Sequence, residues 1–280
     1  MNVGSAEIVV LGDADGVAAA AAERLTAWLA EAVKARGQAH VALTGGSSAT
    51  GLYLELRGLP ADALDWSRVH LWWGDDRYVP LDHPDSNAGT AYAVLGIGEV
   101  ADAGVALEGR LPVPTANVHP IPVDEAIRGG GGPARAAQLY ESAIRAHLPA
   151  DEDDRPIFDV TLLGMGPDGH ILSVFPGSEA LEPNVPAVMP IPAPTHVEPH
   201  VARVSLTPGL LGAARHVLVM VPGADKADVV RQVLRGERDP RRWPAQLAVL
   251  RQATWLLDAG SAAKLGQEGQ PGQEGIDRAD

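Results

Sequence analysis

The stretch that decides the fold reads IFDVTLLGMGPDGH and covers residues 157–170. Residues 157–163 are apolar and rich in types that favour strands, which predicts a buried strand of a parallel sheet. Three glycines and one proline follow within six positions, and such a run requires a sharp, open turn. Ligands of open α/β sheets bind beyond the carboxyl ends of the strands, so His170 and Asp168 are candidate functional residues. The alternative is an ordinary turn in which Asp168 caps a helix and His170 has no role.

Composition narrows the class of protein. The 280 residues, 46% of them hydrophobic, suit one large α/β domain or two small ones. The absence of cysteine excludes disulfides and thiolate metal sites, and it suits a cytoplasmic location. We expect no signal peptide and no membrane span, because no basic leader and no run of about 18 apolar residues is present. A net charge of −14 argues against nucleic-acid or membrane partners, and an anionic substrate would require a local cluster of cations.

Strand-like and helix-like segments alternate along the chain. Apolar runs predict strands at residues 7–11, 40–44, 69–73, 157–163, 217–221 and 254–257. Helical spacing predicts helices at residues 17–36, from about 49 to 57, at 139–147 and at 226–234. This alternation predicts an α/β protein with a doubly wound, mostly parallel sheet flanked by helices, of the Rossmann-like type.

The expected organisation is a single α/β domain over residues 1–262. Residues 263–280, dominated by glycine and glutamine, are predicted to form a disordered tail. Residues 96–134, rich in glycine, proline and alanine, are expected at the periphery. Residues 183–200 are rich in proline, which predicts an extended loop or a lid.

The turn after the second predicted strand reads TGGSS, residues 44–48. Its glycines allow a ligand to approach the backbone, and free amides at the start of the next helix favour an anion such as phosphate. The hydroxyls of Thr44, Ser47 and Ser48 can add hydrogen bonds. The alternative is a turn in which a serine caps the helix. The motif matches neither of the two common nucleotide-binding patterns, because it lacks a Gly-Lys-Ser/Thr run and a third spaced glycine.

Cationic side chains occur at three places near predicted strands. Arg77 ends the cluster GDDR, residues 74–77, with Ser-Asn at 86–87 nearby in sequence. This cluster is either a solvated turn or a device that aims the guanidinium at a substrate oxygen. Arg203 lies in an apolar strand-like run, so it either extends to solvent at an edge or points into a site. Lys226 opens a helix, where the helix dipole disfavours a cation and thereby indicates an anion nearby.

Metal and covalent chemistry find little support in the sequence. His196 and His200 have the spacing of metal ligands, but they flank Pro199 in a loop, which favours a surface pair over a metal site. No Gly-x-Ser-x-Gly motif and no cysteine is present, so we do not expect a covalent intermediate. We expect no metal and no cofactor.

In their order along the chain, these motifs resemble those of the 6-phosphogluconolactonase family, within the superfamily of sugar-phosphate isomerases, deaminases and lactonases. The resemblance covers residues 7–262. Its most specific parts are residues 164–170 with 173–176 and residues 75–77 with 86–87, and it extends through 203–207, Gly223 with Lys226, and 255–258. One such motif is weak evidence, whereas five in family order are specific.

The resemblance implies a cytosolic, metal-free hydrolase of the pentose phosphate pathway that opens 6-phospho-D-glucono-1,5-lactone to 6-phosphogluconate. The partner is then a phosphorylated sugar lactone, and we expect a monomer or a small homo-oligomer. His170 resembles the family's general base and Arg77 its arginine at the lactone end. Asp168 is expected to fix the turn or an arginine, because an ordinary carboxylate is a weak base at pH 7. The binding candidates are Thr44, Gly45, Gly46, Ser47, Ser48, Asp75, Asn87, Arg203 and Lys226; of these, residues 45–48, Arg203 and Lys226 look like the phosphate site.

The chain departs from the family pattern at several positions. Asp76 stands where the family usually has glutamate, so its supporting role is open. Ala49 replaces a usual proline, and Ile171-Leu172 replaces Thr-Ala after the histidine.

Two rival functions share the resemblance. A glucosamine-6-phosphate deaminase or isomerase would carry an acidic residue soon after the histidine and a tyrosine in place of Arg77, whereas this chain has Val-Phe-Pro at 174–176. A non-catalytic sugar-phosphate sensor would not need His170, and it often carries a DNA-binding domain; we expect none here, because no basic helix-turn-helix pattern is recognisable near the first residues. Both comparisons favour the lactonase.

Overall fold

The computed structural model describes residues 2–3, 6–60, 62–97 and 110–266. Within these ranges the strands are β1 (Asn2–Val3), β2 (Ala6–Leu11), β3 (Ala39–Leu43), β4 (Val69–Trp73), β5 (Asp75–Arg77), β6 (Val118–His119), β7 (Val160–Leu163), β8 (Val188–Ile191), β9 (Arg203–Leu206), β10 (His216–Val221) and β11 (Ala253–Asp258). The helices are α1 (Ala14–Arg36), α2 (Ser47–Gly58), α3 (Asn87–Leu95), α4 (Val123–Arg128), α5 (Gly132–His147), α6 (Gly209–Ala213) and α7 (Ala227–Arg235).

The main sheet has eight strands in the order β1-β2-β11-β10-β7-β3-β4-β6. Every neighbouring pair is parallel except β1 with β2. All residues of β3, β7 and β11 are buried, as expected of strands that helices cover on both faces. The predicted α/β class and mostly parallel sheet are therefore confirmed, and each predicted strand falls on a strand of this sheet.

Helix α1 shows how local chemistry sets the bounds of an element. The Asp13 side chain accepts a hydrogen bond from the backbone N–H of Gly16 at 2.8 Å and so caps the first turn. At the other end Gly37 adopts φ 80°, a left-handed conformation that glycine adopts without steric cost, and the helix ends there. Among the helices in the described part of the chain, none combines the length and the apolar character that a membrane crossing requires.

A second, three-stranded antiparallel sheet has the order β5-β9-β8. Of the two alternatives for residues 74–77, the solvated turn is wrong, since residues 75–77 form a strand and Arg77 lines the cleft. The loop predicted over residues 183–200 contains strand β8. Strand β5 consists of three charged residues and has no apolar pattern. Strand β8 is apolar but contains a proline, which argues against a strand in a sequence. Their strand conformation comes from pairing with β9.

The described parts of the segment predicted as peripheral contain regular elements. Residues 96–134 include β6 at the edge of the main sheet, α4, and the start of α5, which begins at Gly132 and not near residue 139. Residues 98–109 lie outside the described ranges. The predicted tail begins in a described turn at residues 263–266, and residues 267–280 lie outside the described part. The single domain over 1–262 and the disordered tail stay predictions.

Candidate active site

An open cleft of about 210 Å³ lies at the carboxyl ends of the central strands of the main sheet. Parallel strands bring the loops that follow β3, β7 and β10 to the same edge, and the small sheet adds residues from β5 and β9. All the predicted site residues except Asp168 line this cleft, namely Thr44, Gly45, Gly46, Ser47, Ser48, Asp75, Arg77, Asn87, His170, Arg203 and Lys226. The fold thus brings together residues that the sequence separates widely.

Asp168 lies beside His170 and does not line the cleft itself. The His170 Nδ1 atom is 2.5 Å from Asp168 Oδ1, and the backbone N–H of His170 donates to the same oxygen at 3.2 Å. A carboxylate at Nδ1 favours the tautomer with the proton on that nitrogen, which leaves Nε2 unprotonated and able to accept a proton. Asp168 therefore contacts the histidine, and not an arginine as one of our expectations had it.

The charge of Asp168 is stabilised by two imidazoles. Burial alone would raise the pKa of Asp168, but the hydrogen bond and charge of His170 and the hydrogen bond of His196 outweigh it. They hold that pKa below its usual range, so Asp168 is an anion at neutral pH. A carboxylate with such a low pKa is a poor base, which leaves the imidazole of His170 as the basic group of the pair.

The turn of residues 164–170 gives the His170 ring very little space. A Cβ atom at Gly166 would lie 2.0 Å from His170 Nδ1, so only glycine fits there while the ring keeps its place. Leu172, two residues beyond His170, is a buried non-glycine residue with φ 54°. A left-handed leucine is uncommon and persists only where its surroundings hold it. Its side chain packs at Gly74, where a Cβ would lie 2.7 Å from Leu172 Cδ2.

The turn at residues 44–48 presents backbone rather than a capping side chain. Helix α2 begins after Gly46, which has φ 88°, and no side chain caps the helix. The alternative in which a serine caps this helix is therefore wrong. Uncapped amides at the start of a 12-residue helix provide the donors that an anion requires. Thr44 is held from behind, because its carbonyl accepts a hydrogen bond from the buried Tyr53 hydroxyl at 2.5 Å.

Asp75 and Asn87 form one wall of the cleft. Ser173 Oγ donates to Asp75 Oδ2 at 2.5 Å, and Asn87 Nδ2 donates to the Asp75 carbonyl at 3.0 Å. Asn87 in turn lies against the turn at residues 44–48, since a Cβ at Gly45 would be 1.9 Å from its Oδ1. The Asn87 side chain thus links β5 to the start of α2.

Asp76 points away from the cleft and caps α3. Its carboxylate accepts hydrogen bonds from the backbone N–H groups of Asn87 at 2.6 Å and Ala88 at 3.0 Å, and from that of Arg77 at 2.8 Å. Burial raises the pKa of Asp76 to about 6 against the lowering effect of these donors. The supporting role of Asp76, which the sequence left open, is therefore to hold the start of the helix that carries Asn87.

Arg77 and Arg203 both line the cleft. Arg77 Nη1 donates to the Asp85 carbonyl at 2.8 Å, and Arg203 Nη2 donates to the Pro199 carbonyl at 3.3 Å. Each Nε is buried and has no partner among the described residues. Arg203 is also buried with its Cζ 5.2 Å from the centre of the Phe175 ring, so the alternative in which it extends to solvent is wrong. Buried donors without partners favour an anionic ligand.

Lys226 lies at the start of α7, as the sequence predicted. It is the residue before the helix, and its Nζ is 3.7 Å from Asp225 Oδ2 on an exposed side chain. Lys226 lines the cleft and lies at the positive end of the α7 dipole. Two positive charges in one place favour an anion between them.

Three residues near the site were not identified from the sequence. Ser173 bonds Asp75, the Phe175 ring packs 4.7 Å from that of His170, and His196 Nε2 is 3.0 Å from Asp168 Oδ2. Ser173 and Phe175 lie within the motif 173–176, which contributes to the family resemblance but assigned these two residues no role. Nothing local in the sequence indicates that His196 reaches Asp168. His196 and His200 are both exposed, as expected of a surface pair. Their partners differ, however, because His196 contacts Asp168 while His200 lies 3.6 Å from Glu198.

No group of three or more histidine, cysteine or carboxylate side chains converges as metal ligands within the described ranges. The expectation that the reaction uses no metal and no cofactor stays a prediction.

Comparison with known proteins gives one consistent family. A family model described as glucosamine-6-phosphate isomerases/6-phosphogluconolactonase matches residues 12–257. The 6-phosphogluconolactonase of Mycobacterium tuberculosis is 40% identical over 264 residues, covering 93% of this chain and 99% of that protein. That of Streptomyces coelicolor is 36% identical, covering 92% of this chain and 94% of the other. The solved structure of 6-phosphogluconolactonase from Trypanosoma cruzi has a TM-score of 0.79 at 27% identity, covering 95% and 98% of the two chains.

Proposed function

Because the chain belongs to the family of glucosamine-6-phosphate isomerases and 6-phosphogluconolactonases, we propose that it hydrolyses 6-phospho-D-glucono-1,5-lactone to 6-phospho-D-gluconate, a reaction of the oxidative pentose phosphate pathway. The observation that carries this function is the cleft in which a carboxylate-bound imidazole and several donors for anions meet. Hydrolysis of a phosphorylated lactone needs a base for water at one end of the substrate and cations at the other.

His170 is the general base of the proposed reaction. Nε2 accepts a proton from a water molecule as the water oxygen attacks the lactone carbonyl carbon, and Asp168 stabilises the imidazolium that forms. The ester C–O bond then breaks, and the proton returns to the departing ring oxygen. General base catalysis of this kind is worth about 10²- to 10⁴-fold in rate. Arg77 stabilises the charge that develops on the carbonyl oxygen.

The phosphate group supplies the positioning. We place it at the uncapped amides that begin α2, together with Lys226, and Arg203 donates to it from the small sheet. Thr44, Ser47 and Ser48 add hydroxyl donors, while Asp75 and Asn87 support the sugar hydroxyl groups. Binding energy at the phosphate, which does not react, holds the lactone carbon against the attacking water.

The geometry of the cleft does not bear on location, oligomeric state or nucleic-acid binding. We propose a cytoplasmic monomer or small homo-oligomer with no nucleic-acid partner and no cofactor. The strongly acidic balance of the chain supports the lack of a nucleic-acid partner, and the lack of cysteine suits the cytoplasm. The oligomeric state and the lack of a cofactor follow from the family resemblance alone.

A paired assay tests the function. Lactone disappearance is followed against spontaneous hydrolysis, and ammonia release is followed with glucosamine 6-phosphate, using the chain and its His170→Asn variant. We expect lactone hydrolysis that depends on His170 and no ammonia. Ammonia release would assign the deaminase reaction instead. Binding of 6-phosphogluconate without turnover of either substrate would assign the sensor.

A further inference from the structure

Asp168 binds two imidazoles, one on each carboxylate oxygen. Oδ1 lies 2.5 Å from His170 Nδ1, and Oδ2 lies 3.0 Å from His196 Nε2. The three side chains therefore form a hydrogen-bonded row. A change of charge or hydrogen bonding at His196 acts on His170 through the Asp168 carboxylate. The side chains of His170 and Asp168 are 15% and 18% exposed, whereas that of His196 is 51% exposed and accessible to solvent protons.

His196 is held in this position by packing as well as by its hydrogen bond. The centre of its ring lies 5.7 Å from that of the Phe175 ring, which it meets edge-on. The Phe175 ring also packs against the His170 ring, with 4.7 Å between the ring centres. The segment that carries His196 joins β8 to β9 and leads directly to Arg203. His196 thus connects this segment to the Asp168–His170 pair.

We propose that His196 is a positioning residue for the reaction, which holds the Asp168 carboxylate at Oδ2 and thereby governs how Asp168 acts on His170. The inference rests on the proposed function, in which His170 is the base. A general base must be unprotonated when water arrives, so a group that weakens proton binding at His170 extends activity to lower pH.

The direction follows from the charges that face Asp168. These are His170 and His196, which contact it, and the Arg203 guanidinium on β9, which acts on it by charge alone. A carboxylate favours the protonated form of an imidazole that it contacts. A hydrogen-bond donor or a positive charge at Oδ2 draws electron density away from Oδ1. It also opposes the addition of the proton that would convert His170 to an imidazolium. We therefore expect removal of His196 to strengthen the action of Asp168 on His170, which a pH titration can detect.

The experiment compares His196→Ala with His200→Ala, a histidine equally exposed in the same segment and without contact to Asp168. The pKa of His170 is measured by NMR titration, with its signal assigned from the spectrum of His170→Asn. The acid limb of kcat/KM against pH is measured in parallel. We expect both pKa values to rise by about half a unit in His196→Ala, as for an interaction between half-exposed charges, and to stay unchanged in His200→Ala.

A merely structural role for His196 would change KM or stability without moving either pKa. An unchanged or lowered pKa of His170 in His196→Ala would overturn the inference, as would an equal shift in His200→Ala. The NMR titration needs no substrate, so it decides the inference even if the chain fails to hydrolyse the lactone, a result that would refute the proposed function alone.

Discussion

Arg77 and Arg203 stand directly opposite one another on the paired strands β5 and β9. Side chains at such positions point to the same face of the sheet, and like charges there destabilise the pairing. Burial lowers the pKa of Arg203, and the charge of Arg77 lowers it further, while Asp75 acts in the opposite direction. The fold therefore holds two guanidinium groups together at the cleft, and an anion bound between or beside them would relieve the repulsion.

We expect anions to stabilise the folded protein through this pair. Inorganic phosphate should raise the melting temperature of the chain, because a ligand that binds only the folded state stabilises it. In Arg203→Gln this increase should largely disappear, and KM for the lactone should rise about 10- to 100-fold with little change in kcat, the loss expected for a charged hydrogen bond. Arg241→Gln, which removes an exposed arginine paired with Glu182, is the control and should respond to phosphate as the unchanged chain does. An Arg203→Gln protein with unchanged KM would mean that Arg203 does not bind the substrate.

Replacement of His170 by asparagine should lower kcat by about 10²- to 10⁴-fold and leave KM largely unchanged, because the base acts only in the reaction step. The rate of the unchanged chain should fall along a single limb at acid pH, since protonated Nε2 cannot accept a proton. Steady-state kinetics between pH 4 and 9 test both statements. A profile that stays flat to pH 4 would point to a different base.

Alanine at position 166 should disable His170 without unfolding the protein. The added Cβ would occupy the place of the imidazole, only 2.0 Å from Nδ1, so the ring must move away from Asp168. A misplaced catalytic group costs about 100-fold in rate. Gly58→Ala is the matched control, because a Cβ there meets no atom within 4 Å. We expect kcat to fall in Gly166→Ala alone, with melting temperatures of both variants near that of the unchanged chain. Full activity in Gly166→Ala would show that the close fit of this turn is not required.

Acid should lower the free energy of unfolding through His40, a buried histidine that does not line the cleft. Burial lowers the pKa of His40 to about 3, and its Nδ1 must stay unprotonated to accept the hydrogen bond from Trp72 Nε1 at 3.1 Å. Between that value and an unfolded pKa near 6.5, the unfolded chain binds the additional proton, so stability decreases as the pH falls. The contribution of His40 is fully present above pH 6.5, and the expected loss below it is about 1.4 kcal/mol per pH unit.

Urea unfolding at pH 7.5, 6.0 and 5.0 measures this dependence. His40→Asn should flatten the curve of unfolding free energy against pH, whatever its effect on stability at pH 7.5. The control is His83→Asn, since His83 is an exposed histidine, and its curve should match that of the unchanged chain. Parallel curves for His40→Asn and the unchanged chain would show that His40 does not cause the acid loss.

The sequence by itself determined the main sheet and most of the cleft. Runs such as residues 157–163 and 69–73 are apolar over the length of a buried strand, and that pattern is local. The turns at residues 44–48 and 164–170 contain glycines where steric freedom is required, so they too were recognisable without coordinates. Once the strands are parallel, their carboxyl ends must share one edge, and this placed His170 near the turn at residues 44–48.

Only the tertiary structure decided how distant segments complete the site. Strand β5 has no apolar pattern and exists because it pairs with β9, which sets Arg77 opposite Arg203. Asp76 and Asp75 are neighbours in sequence, yet successive residues of a strand point to opposite sides, so Asp76 caps α3 and leaves Asp75 at the cleft. The contact of His196 with Asp168 depends on the path of a proline-rich segment that no local rule specifies. Local patterns encode secondary structure, whereas such pairings arise from the packing of the whole chain.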